Sequence, residues 1–452
     1  MKVMLIQPPN IFKLIEKTRI FEPLALEYLG AMLKEEKHEV MVHDVRIEPD
    51  YASAFRSFRP NIVGLTGFTQ NVDVNKQIAA ELKLIDPKVF IIIGGHHATV
   101  RPKDFNCKDI DLVVRGEGVT ALREVIKCLE EKRTFEDIPG LGIPGNEMHL
   151  TAVRPHPPLD DLPFPDRSLT SKYREFYFHD WLKPLASIRT SLGCVNRCSF
   201  CALWAMNDGR YLKRQPEKIV EELKTIQEPH VYFSDDESML DHRRMDRLAE
   251  LIKEAGIRKK YFLYARVDTI IRHPELFAKW KKIGLVQMFI GFESFTDGRL
   301  SELKKGITVK QQIKAAKICS KLKINTYGSF IVDPAFTREE FKALTSYVWR
   351  LNPTIAVFPI LTPLPGTELY NARKDELSTE KPEMYDLAHI VLPTTLPVNE
   401  FYSEYFNLWL RANNVLHYLR FMKLYDLGAR LSAMRNFIEY RQIIKGRIKQ
   451  VA

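Results

Sequence analysis

The sequence predicts an α/β protein with two sheet-forming regions and a helical C-terminal region. Short apolar runs alternate with amphipathic helical patterns over residues 1–140, which is typical of a doubly wound, Rossmann-like parallel sheet. The same alternation resumes over residues 186–368 with six strand candidates, which fits a partial, TIM-like (β/α)6 barrel. Residues 141–185 are rich in proline and lack periodicity, as expected of a connector. Residues 369–452 have helical patterns and many basic side chains.

In the first region, the apolar runs predict five strands and the amphipathic stretches predict three helices. The predicted strands are 3–7, 40–43, 62–66, 89–93 and 112–114, and the predicted helices are 24–35, 74–84 and 120–131. Ligands bind doubly wound sheets beyond the carboxyl ends of the strands. Two of these strand ends, GGHHAT at 94–99 and RGEG at 115–118, carry glycines that let the backbone approach a ligand closely. The candidate binding residues at the strand ends are Gln7, Pro8, Thr66, Thr69, Gln70, Gly94, Gly95, His96, Arg115, Gly116, Glu117 and Gly118.

In the second region, strands are predicted at 186–191, 230–234, 261–265, 286–291, 324–331 and 355–360. Chemistry in such barrels gathers at the carboxyl ends of the strands. Polar side chains stand at three of these ends: Ser234, Asp235 and Asp236 after the second strand, Arg266 after the third and Glu293 after the fourth. The SDDES stretch also fits a helix N-cap, and Arg266 also fits a surface ion pair.

Three of the six cysteines, Cys194, Cys198 and Cys201, form a C-x3-C-x2-C motif after the first barrel strand. A structural zinc site takes four protein ligands, whereas a cubane iron–sulfur cluster held by three thiolates keeps one iron free for another ligand. Phe200 would shield such a cluster from water. The other three cysteines, at 107, 128 and 319, are scattered, which favours a packing role. A zinc-binding motif is the alternative.

The C-x3-C-x-aromatic-C motif resembles that of the radical S-adenosylmethionine (SAM) superfamily. With the glycine-bearing strand ends upstream, the chain resembles the cobalamin-dependent radical SAM enzymes, or class B radical SAM methylases. Within them it is most similar to the hopanoid C-3 methylase family. The stretches that carry this similarity include EPLALEYLG (22–30), AGIRKKYFLYARVD (255–268), FIGFES (289–294), VDPAFTREEF (332–341) and PLPGTELY (363–370). The DLPFPDRSL stretch at 161–169 resembles the segment that joins the two domains in that family, although a plain linker explains it as well.

The resemblance implies three cofactors: a [4Fe–4S] cluster on Cys194, Cys198 and Cys201, SAM, and cobalamin in the first domain. It also implies SAM contacts from Phe200 and from the five polar residues at the barrel strand ends. One departure is that no D-x-H-x-x-G signature is present. The implied cobalamin therefore has its own base displaced and no histidine of that signature on cobalt. His96 and His97 are expected to contact the corrin edge or nucleotide tail, or to be ordinary loop residues.

The implied activity is methylation of an unactivated carbon of a polycyclic or lipid substrate, through a 5′-deoxyadenosyl radical and methylcobalamin. A flavodoxin or ferredoxin would supply electrons. Three alternatives stay open. The first is a cobalamin-dependent cyclase or rearrangement enzyme acting on a porphyrin-like or other polycyclic substrate. The second is a radical SAM enzyme without cobalamin, and the third is a zinc-stabilised binding module without catalysis.

The net charge of +10 is concentrated after residue 410, where nine basic residues stand against two acidic ones. No nucleic-acid-binding module accompanies this basic segment, so we expect no nucleic-acid partner. The sequence has no run of eighteen apolar residues and no signal-peptide pattern at its start, which predicts a cytoplasmic protein. The helical patterns at 401–412 and 415–448 are amphipathic and basic. They fit either a peripheral contact with the inner membrane face or a helical cap over the barrel.

Overall fold

The computed structural model describes residues 1–11, 16–207 and 209–414, together with isolated positions between 419 and 442. Among these residues, no helix is both long enough and apolar enough to cross a bilayer. The pattern expected over 415–448 lies outside the described residues apart from the isolated positions.

The N-terminal part of the described chain builds a seven-stranded sheet and its flanking helices. The strands of this part are β1 (Lys2–Gln7), β2 (Arg19–Ile20), β3 (Glu39–Asp44), β4 (Ile62–Leu65), β5 (Phe90–Ile93), β6 (Leu112–Val114), β7 (Leu141–Ile143) and β8 (His149–Leu150). The helices are α1 (Leu24–Glu35), α2 (Tyr51–Phe58), α3 (Val72–Ile85), α4 (His96–Val100) and α5 (Gly118–Glu131).

The strand order β3-β1-β4-β5-β6-β7-β8 confirms the predicted doubly wound sheet, with β3 through β6 parallel and β7 and β8 added antiparallel. Both faces are covered, because one apolar core packs under α1 and α5 and the other under α2 and α3. This explains why strands such as β1 read as continuous apolar runs.

Two features of this region were not predicted. Helix α2 was missed because only Phe55 of its eight residues is fully buried, so its apolar stripe is short. The boundary expected at residue 140 is also wrong, since β7 and β8 extend the sheet to residue 150 and therefore occupy the first part of the expected connector. Short antiparallel edge strands carry too few residues for a readable alternation.

The rest of the described chain builds a six-stranded parallel sheet with helices outside it. Its strands, with three short ones, are β9 (Phe178–His179), β10 (Leu185–Ile188), β11 (Ser191–Leu192), β12 (Leu212–Lys213), β13 (His230–Phe233), β14 (Lys260–Tyr264), β15 (Leu285–Glu293), β16 (Asn325–Phe330) and β17 (Ile355–Val357). Its helices are α6 (Leu203–Asn207), α7 (Pro216–Thr225), α8 (His242–Glu254), α9 (Val267–Arg272), α10 (Pro274–Lys282), α11 (Asp297–Glu302), α12 (Val309–Lys321), α13 (Arg338–Leu351), α14 (Glu368–Arg373) and α15 (Val398–Ala412).

The order β10-β13-β14-β15-β16-β17, parallel throughout, confirms the partial (β/α)6 barrel. Helix α15 closes its open side. Phe401, Tyr405 and Leu408 lie in the barrel core, and the Asn413 side chain bonds the backbone of Ala356 beside β17. The apolar face of α15 is therefore used inside the protein, as the helical-cap interpretation expects for this helix.

The junction between the two regions is a buried network of ion pairs. Arg174, in the 3-10 helix Arg167–Phe176 of the connector, pairs with Glu22 and lies 3.7 Å from Glu27 at the start of α1. Arg167 of the same helix pairs with Glu222 of α7 at 2.7 Å and donates to the Ser187 carbonyl of β10 at 2.6 Å. The connector thus fastens the first domain to the barrel through charges that are almost entirely shielded from water.

Replacing Arg174 tests how strongly this network stabilises the fold. Arg174→Met leaves two carboxylates buried without that partner, so we expect the free energy of unfolding to fall by about 3–5 kcal/mol. Chemical denaturation measures the change. Arg133→Met, which removes an exposed pair with Glu131, is the control and should change stability little. Equal effects of the two substitutions would contradict a stabilising role for the junction.

Candidate active site

The cysteine motif begins immediately after β11, and Asp235 positions the chain that leads into it. One Asp235 oxygen accepts the N–H groups of Thr190 and Ser191 at 2.7 and 2.9 Å, and the other accepts the Thr190 hydroxyl at 2.5 Å. Arg244 of α8 donates to the Thr190 carbonyl at 2.9 Å. Asp235 was expected to contact SAM. Its oxygens are instead occupied by the backbone and hydroxyl of the preceding strand end, so it acts on the site through that segment.

The three motif cysteines lie within electrostatic reach of one another. Burial, and to a smaller extent the neighbouring Cys198 and Cys194, raise the pKa of Cys201 to about 12. Asn196 lies 3.4 Å from the Cys194 sulfur, and the loop is held by a bond from the Ser199 N–H to the Leu303 carbonyl. In the part of the chain that the structure describes, no three His, Cys, Asp or Glu side chains are close enough to hold a single metal ion.

Beside the cysteines lies a buried group of charges from the ends of β14 and β15 and from the loop between α11 and α12. Lys305 pairs with Glu293 at 2.6 Å, and its ammonium stands 6.0 Å from the ring centre of Phe200. Arg266 donates to Asp268 at 3.0 Å and to the Lys305 carbonyl at 2.8 Å. Two Arg266 nitrogens are thus already engaged and only Nη1 is outside these contacts, which reduces the number of hydrogen bonds that Arg266 can give to SAM, the ligand that the resemblance implies for it. Both cations are paired with carboxylates, and Arg266 lies near enough to Cys198 and Cys194 to interact with them electrostatically.

Glu237 is a buried acid within this group that the sequence prediction omitted. Burial raises its pKa to about 8, opposed by Arg266 and Lys305. Its Oε1 is buried and has no hydrogen-bond partner among the described residues, and the same holds for the hydroxyl of Ser234. Asp236 accepts the Gly193 N–H at 2.6 Å, and burial raises its pKa. Two buried polar atoms without partners, next to a thiol cluster, indicate a space for a polar ligand.

Gly291 permits the charged pair to form. A β-carbon at this position would overlap with the Glu293 carboxylate and stand 2.7 Å from the Lys305 ammonium. Glu293 itself has a φ of 65°, a left-handed conformation that costs energy outside glycine. The register of β15 against β16 shifts at this point, which turns the Glu293 side chain out of the regular strand.

The first domain holds a cavity of about 210 Å³ at the carboxyl end of its sheet. Its apolar walls come from β1, α1, β4, β5 and α5, and its rim includes Thr66, Gly94, Gly95, Gly116, Glu117 and Gly118, which are six of the twelve residues expected to bind there. Gly116 has a φ of 79°, and a β-carbon on it would meet no atom within 4 Å, so this turn faces open space. The connector and the barrel close the cavity with His156, Leu159, Leu162, Arg189, Leu192 and Arg214.

The other expected cavity residues do not line it. Arg115 turns its guanidinium to the Thr151 carbonyl at 2.6 Å, because β7 and β8 offer an acceptor there. Thr69 lies 3.1 Å from the ring of His97, which in turn pairs with Asp104 at 2.9 Å. The remaining four, which also do not line the cavity, are Gln7, Pro8, Gln70 and His96.

The two histidines of the GGHHAT loop differ. His97 is buried, and its two ring nitrogens are hydrogen-bonded to Thr69 and Asp104, which indicates a structural role. His96 is exposed and stacks on Phe68 with ring centres 4.5 Å apart. Partial loss of hydration, with Arg189 nearby, lowers its pKa, so the ring is neutral at pH 7.

Glu117 lines the cavity and also caps α5. Its carboxylate accepts the N–H groups of Val119 and Thr120, the latter at 2.9 Å. The local signal for this cap is an acidic residue directly before the first turn of the helix. The residues of the candidate site that the sequence prediction omitted are Arg189, Glu237 and Lys305. Only Glu237 carried a local signal, as the next residue of the SDDES stretch.

Two family models match the two regions. The model described as B12 binding domain matches residues 16–126, and that described as Radical SAM superfamily matches residues 188–348. Hopanoid C-3 methylase from Methylococcus capsulatus is 31% identical over 89% of this chain and 78% of its own length. An anaerobic magnesium-protoporphyrin IX monomethyl ester cyclase from Cereibacter sphaeroides is 25% identical over 86% of this chain and 66% of its own length.

Among solved structures, the radical SAM methyltransferase TsrM from Kitasatospora setae, with cobalamin and a [4Fe-4S] cluster bound, has the same fold. The TM-score is 0.69, with 19% identity over 87% of this chain and 82% of TsrM.

These findings define a radical SAM enzyme with a B12-binding domain. The chain belongs to the cobalamin-dependent radical SAM family that includes hopanoid C-3 methylase. Its cofactors are cobalamin, SAM and a [4Fe–4S] cluster.

The residues of the two regions fit the three cofactors. The three neighbouring thiols suit a cluster, and the buried oxygens of Ser234 and Glu237, which lack partners among the described residues, suit a polar ligand beside it. The cavity with its glycine-bearing rim suits a large ligand with an apolar end.

Removing the Asp235 carboxylate tests its positioning role. In Asp235→Ala, the N–H groups of Thr190 and Ser191 lose their acceptor, so the loop to Cys194 should move. We expect iron bound per chain after anaerobic reconstitution to fall severalfold although all three cysteines remain. Asp246→Ala, at an exposed pair with Lys279, is the control and should keep full iron content. Full iron content in Asp235→Ala would contradict the role.

Proposed function

We propose that this enzyme methylates an unactivated carbon of a polycyclic or lipid substrate, as the name of its hopanoid C-3 methylase relative suggests. The observation that carries the proposal is that the two cofactor regions share a wall. Leu192, two residues before Cys194, lines the cavity of the first domain together with Arg189. A methyl donor and a radical source must both reach one substrate carbon, and this adjacency provides for it.

Cys194, Cys198 and Cys201 are proposed to hold the cluster, with Phe200 shielding it. When bound, the cluster, SAM and cobalamin supply the radical and the methyl group, which protein side chains cannot provide. The thiol of Cys201 must lose its proton to bind iron, and its raised pKa means that iron binding releases that proton. The role of the chain is to hold the three groups and to exclude water.

For SAM, we propose that Glu237 and Ser234 receive the amino group and that Arg266 faces the carboxylate. A buried carboxylate with a raised pKa gains most from a nearby cation, because the ammonium group compensates its desolvation. Asp236 borders the same space. Glu293, held by Lys305 through one oxygen, keeps the other for the ribose hydroxyls.

For cobalamin, the proposed site is the cavity and its glycine-bearing rim. A flat apolar base fits between α1, α5 and the sheet, where the lining residues are Val3, Leu5, Tyr28, Ile62, Val119 and Leu122. Thr99 links the two glycine-bearing turns, because its hydroxyl accepts the Gly116 N–H and donates to the Gly95 carbonyl. His96, which follows Gly95 of the rim, has a neutral ring at pH 7 and fits a contact to the corrin edge.

The remaining partners are also proposals. A one-electron donor of the flavodoxin or ferredoxin type would reduce the cluster in the cytoplasm. The proposed lipid substrate gives the basic C-terminal segment a purpose, which is contact with the inner membrane face.

Substituting the cysteines tests the proposed cluster ligands. Each of Cys194→Ala, Cys198→Ala and Cys201→Ala should lose most of the bound iron and the broad visible absorption of a cluster, because a cubane needs all three thiolates. Cys107→Ser is the matched control, since this cysteine packs against the first domain core. Iron retained in all three alanine variants, or zinc found in its place, would contradict the assignment.

The activity is tested with the reconstituted protein, cobalamin, a reductant and SAM labelled in its methyl group, incubated with a lipid extract. We expect labelled methyl in an apolar product identified by mass spectrometry, and none when cobalamin is omitted. Cleavage of SAM without transfer of label to any product would contradict methylation.

The second candidate function is a cyclase or rearrangement enzyme on a porphyrin-like substrate. The similarity to the magnesium-protoporphyrin ester cyclase supports it. With a porphyrin ester in the same assay, such an enzyme would change the substrate without incorporating the labelled methyl group.

A further inference from the structure

Arg189 is a cation without an anionic partner at the wall between the two cofactor regions. It follows β10 and lines the cavity of the first domain. Its Nε is buried, and neither a hydrogen bond nor an ion pair reaches its guanidinium from any residue that the structure describes. Arg189 is partly buried, and a guanidinium with reduced access to water normally finds a carboxylate or phosphate, because an unpaired charge is costly to bury.

Arg214, in the same wall, is an arginine whose side chain has an anionic partner. Arg214 also lines the cavity, but it forms a buried ion pair with Glu222 and stands 5.4 Å from the ring centre of Phe164. It further donates to the Arg189 carbonyl at 3.1 Å, which fixes the backbone of Arg189. Arg189 is therefore held in place by its backbone while its side chain lacks an internal role.

The groups that face Arg189 do not neutralise it. Tyr28, His96 and His156 lie close enough to feel its charge and are uncharged at pH 7. Two carboxylates lie in the same surroundings. Asp236 accepts the Gly193 N–H through its Oδ2, and burial raises its pKa. Glu117 lines the cavity and accepts the N–H groups of Val119 and Thr120. Among the described residues, neither forms an ion pair with Arg189.

We propose that Arg189, a residue of the barrel domain, binds the phosphodiester of cobalamin across the domain boundary. This inference rests on the proposed function, because it needs cobalamin in the cavity. Cobalamin carries one phosphodiester, between its corrin ring and its nucleotide base. A base in the apolar interior and a corrin outside the rim would leave the phosphodiester between them, within reach of the part of the wall that Arg189 lines. Arginine suits this group because its planar fork gives two parallel hydrogen bonds.

The contact makes cobalamin binding depend on both domains. Without Arg189, the first domain offers the phosphodiester backbone N–H groups and no charge-neutralising side chain from the cavity rim, since Arg115 is turned to Thr151. A barrel residue three positions before Leu192 thereby connects the cofactor cavity with the segment that leads to the cysteine loop.

The test compares two corrinoids on the full-length protein. Aquacobalamin has the phosphodiester and the base, whereas cobinamide lacks both. Dissociation constants are measured by absorbance titration for the wild type, Arg189→Gln and Arg189→Lys, with Arg133→Gln as an exposed control. For aquacobalamin, we expect Arg189→Gln to raise Kd about 10- to 100-fold, the loss typical of a hydrogen-bonded charge. Arg189→Lys should have a smaller effect, and cobinamide binding should change less than about twofold, since it lacks the anion.

Each outcome decides between two interpretations. Equal weakening of both corrinoids by Arg189→Gln would mean that Arg189 shapes the cavity rather than binding the phosphodiester, and unchanged binding of both would remove the contact altogether. Either result overturns the inference and leaves the proposed function standing. A wild-type protein that binds neither corrinoid overturns both. Thermal unfolding of each variant shows whether a loss of corrinoid binding is caused by misfolding. If Arg189→Gln does not fold, the affinities of Arg189→Lys for the two corrinoids decide between the interpretations.

Discussion

The structure depends on a buried network of charges that fixes the first domain against the barrel. Glu22 and Glu27 at the start of α1, Arg167 and Arg174 of the connector, and Glu222 of α7 meet where almost no water reaches them. Buried ion pairs stabilise a fold little more than apolar contacts of the same size would. They restrict the relative positions of the two domains, however, because each charge must meet its partner. A network of this kind therefore suits a protein in which two ligand sites on different domains must keep one separation.

That separation matters because the two sites share residues. The segment from Arg189 to Cys194 borders the cavity on one side and enters the cysteine motif on the other, and Asp235 holds it from the neighbouring strand. The segment around Lys305 acts similarly on the far side. Its carbonyl receives Arg266, its ammonium pairs with Glu293, and the preceding Leu303 carbonyl receives the Ser199 N–H of the cysteine loop. A shift in either segment would move the cysteine loop relative to the cavity and to the charged group beside it.

Much of the fold was predictable because its signals are local. Buried parallel strands produce apolar runs, so both sheets and all six barrel strands were found within a few residues of their observed bounds. The elements that were not predicted lack such local signals. Helix α2 buries a single residue fully, and β7 and β8 are too short for a period. The same difference holds for the site residues. The cysteine motif and the glycine turns were visible in the sequence, whereas the contacts of Asp235 and Arg115 are not indicated by any spacing in the sequence.

The sequence by itself determined the order of strands and helices, the three-cysteine motif and the strand-end loops that carry polar residues, because each is encoded within a few neighbouring positions. Only the tertiary structure decided which of those residues face a ligand and which face the protein. Asp235 satisfies backbone donors 44 and 45 positions away, Lys305 pairs with Glu293 twelve positions away, and Arg189 meets the cavity of another domain. Such contacts depend on how strands from distant parts of the chain are brought together, and that arrangement has no counterpart in local periodicity.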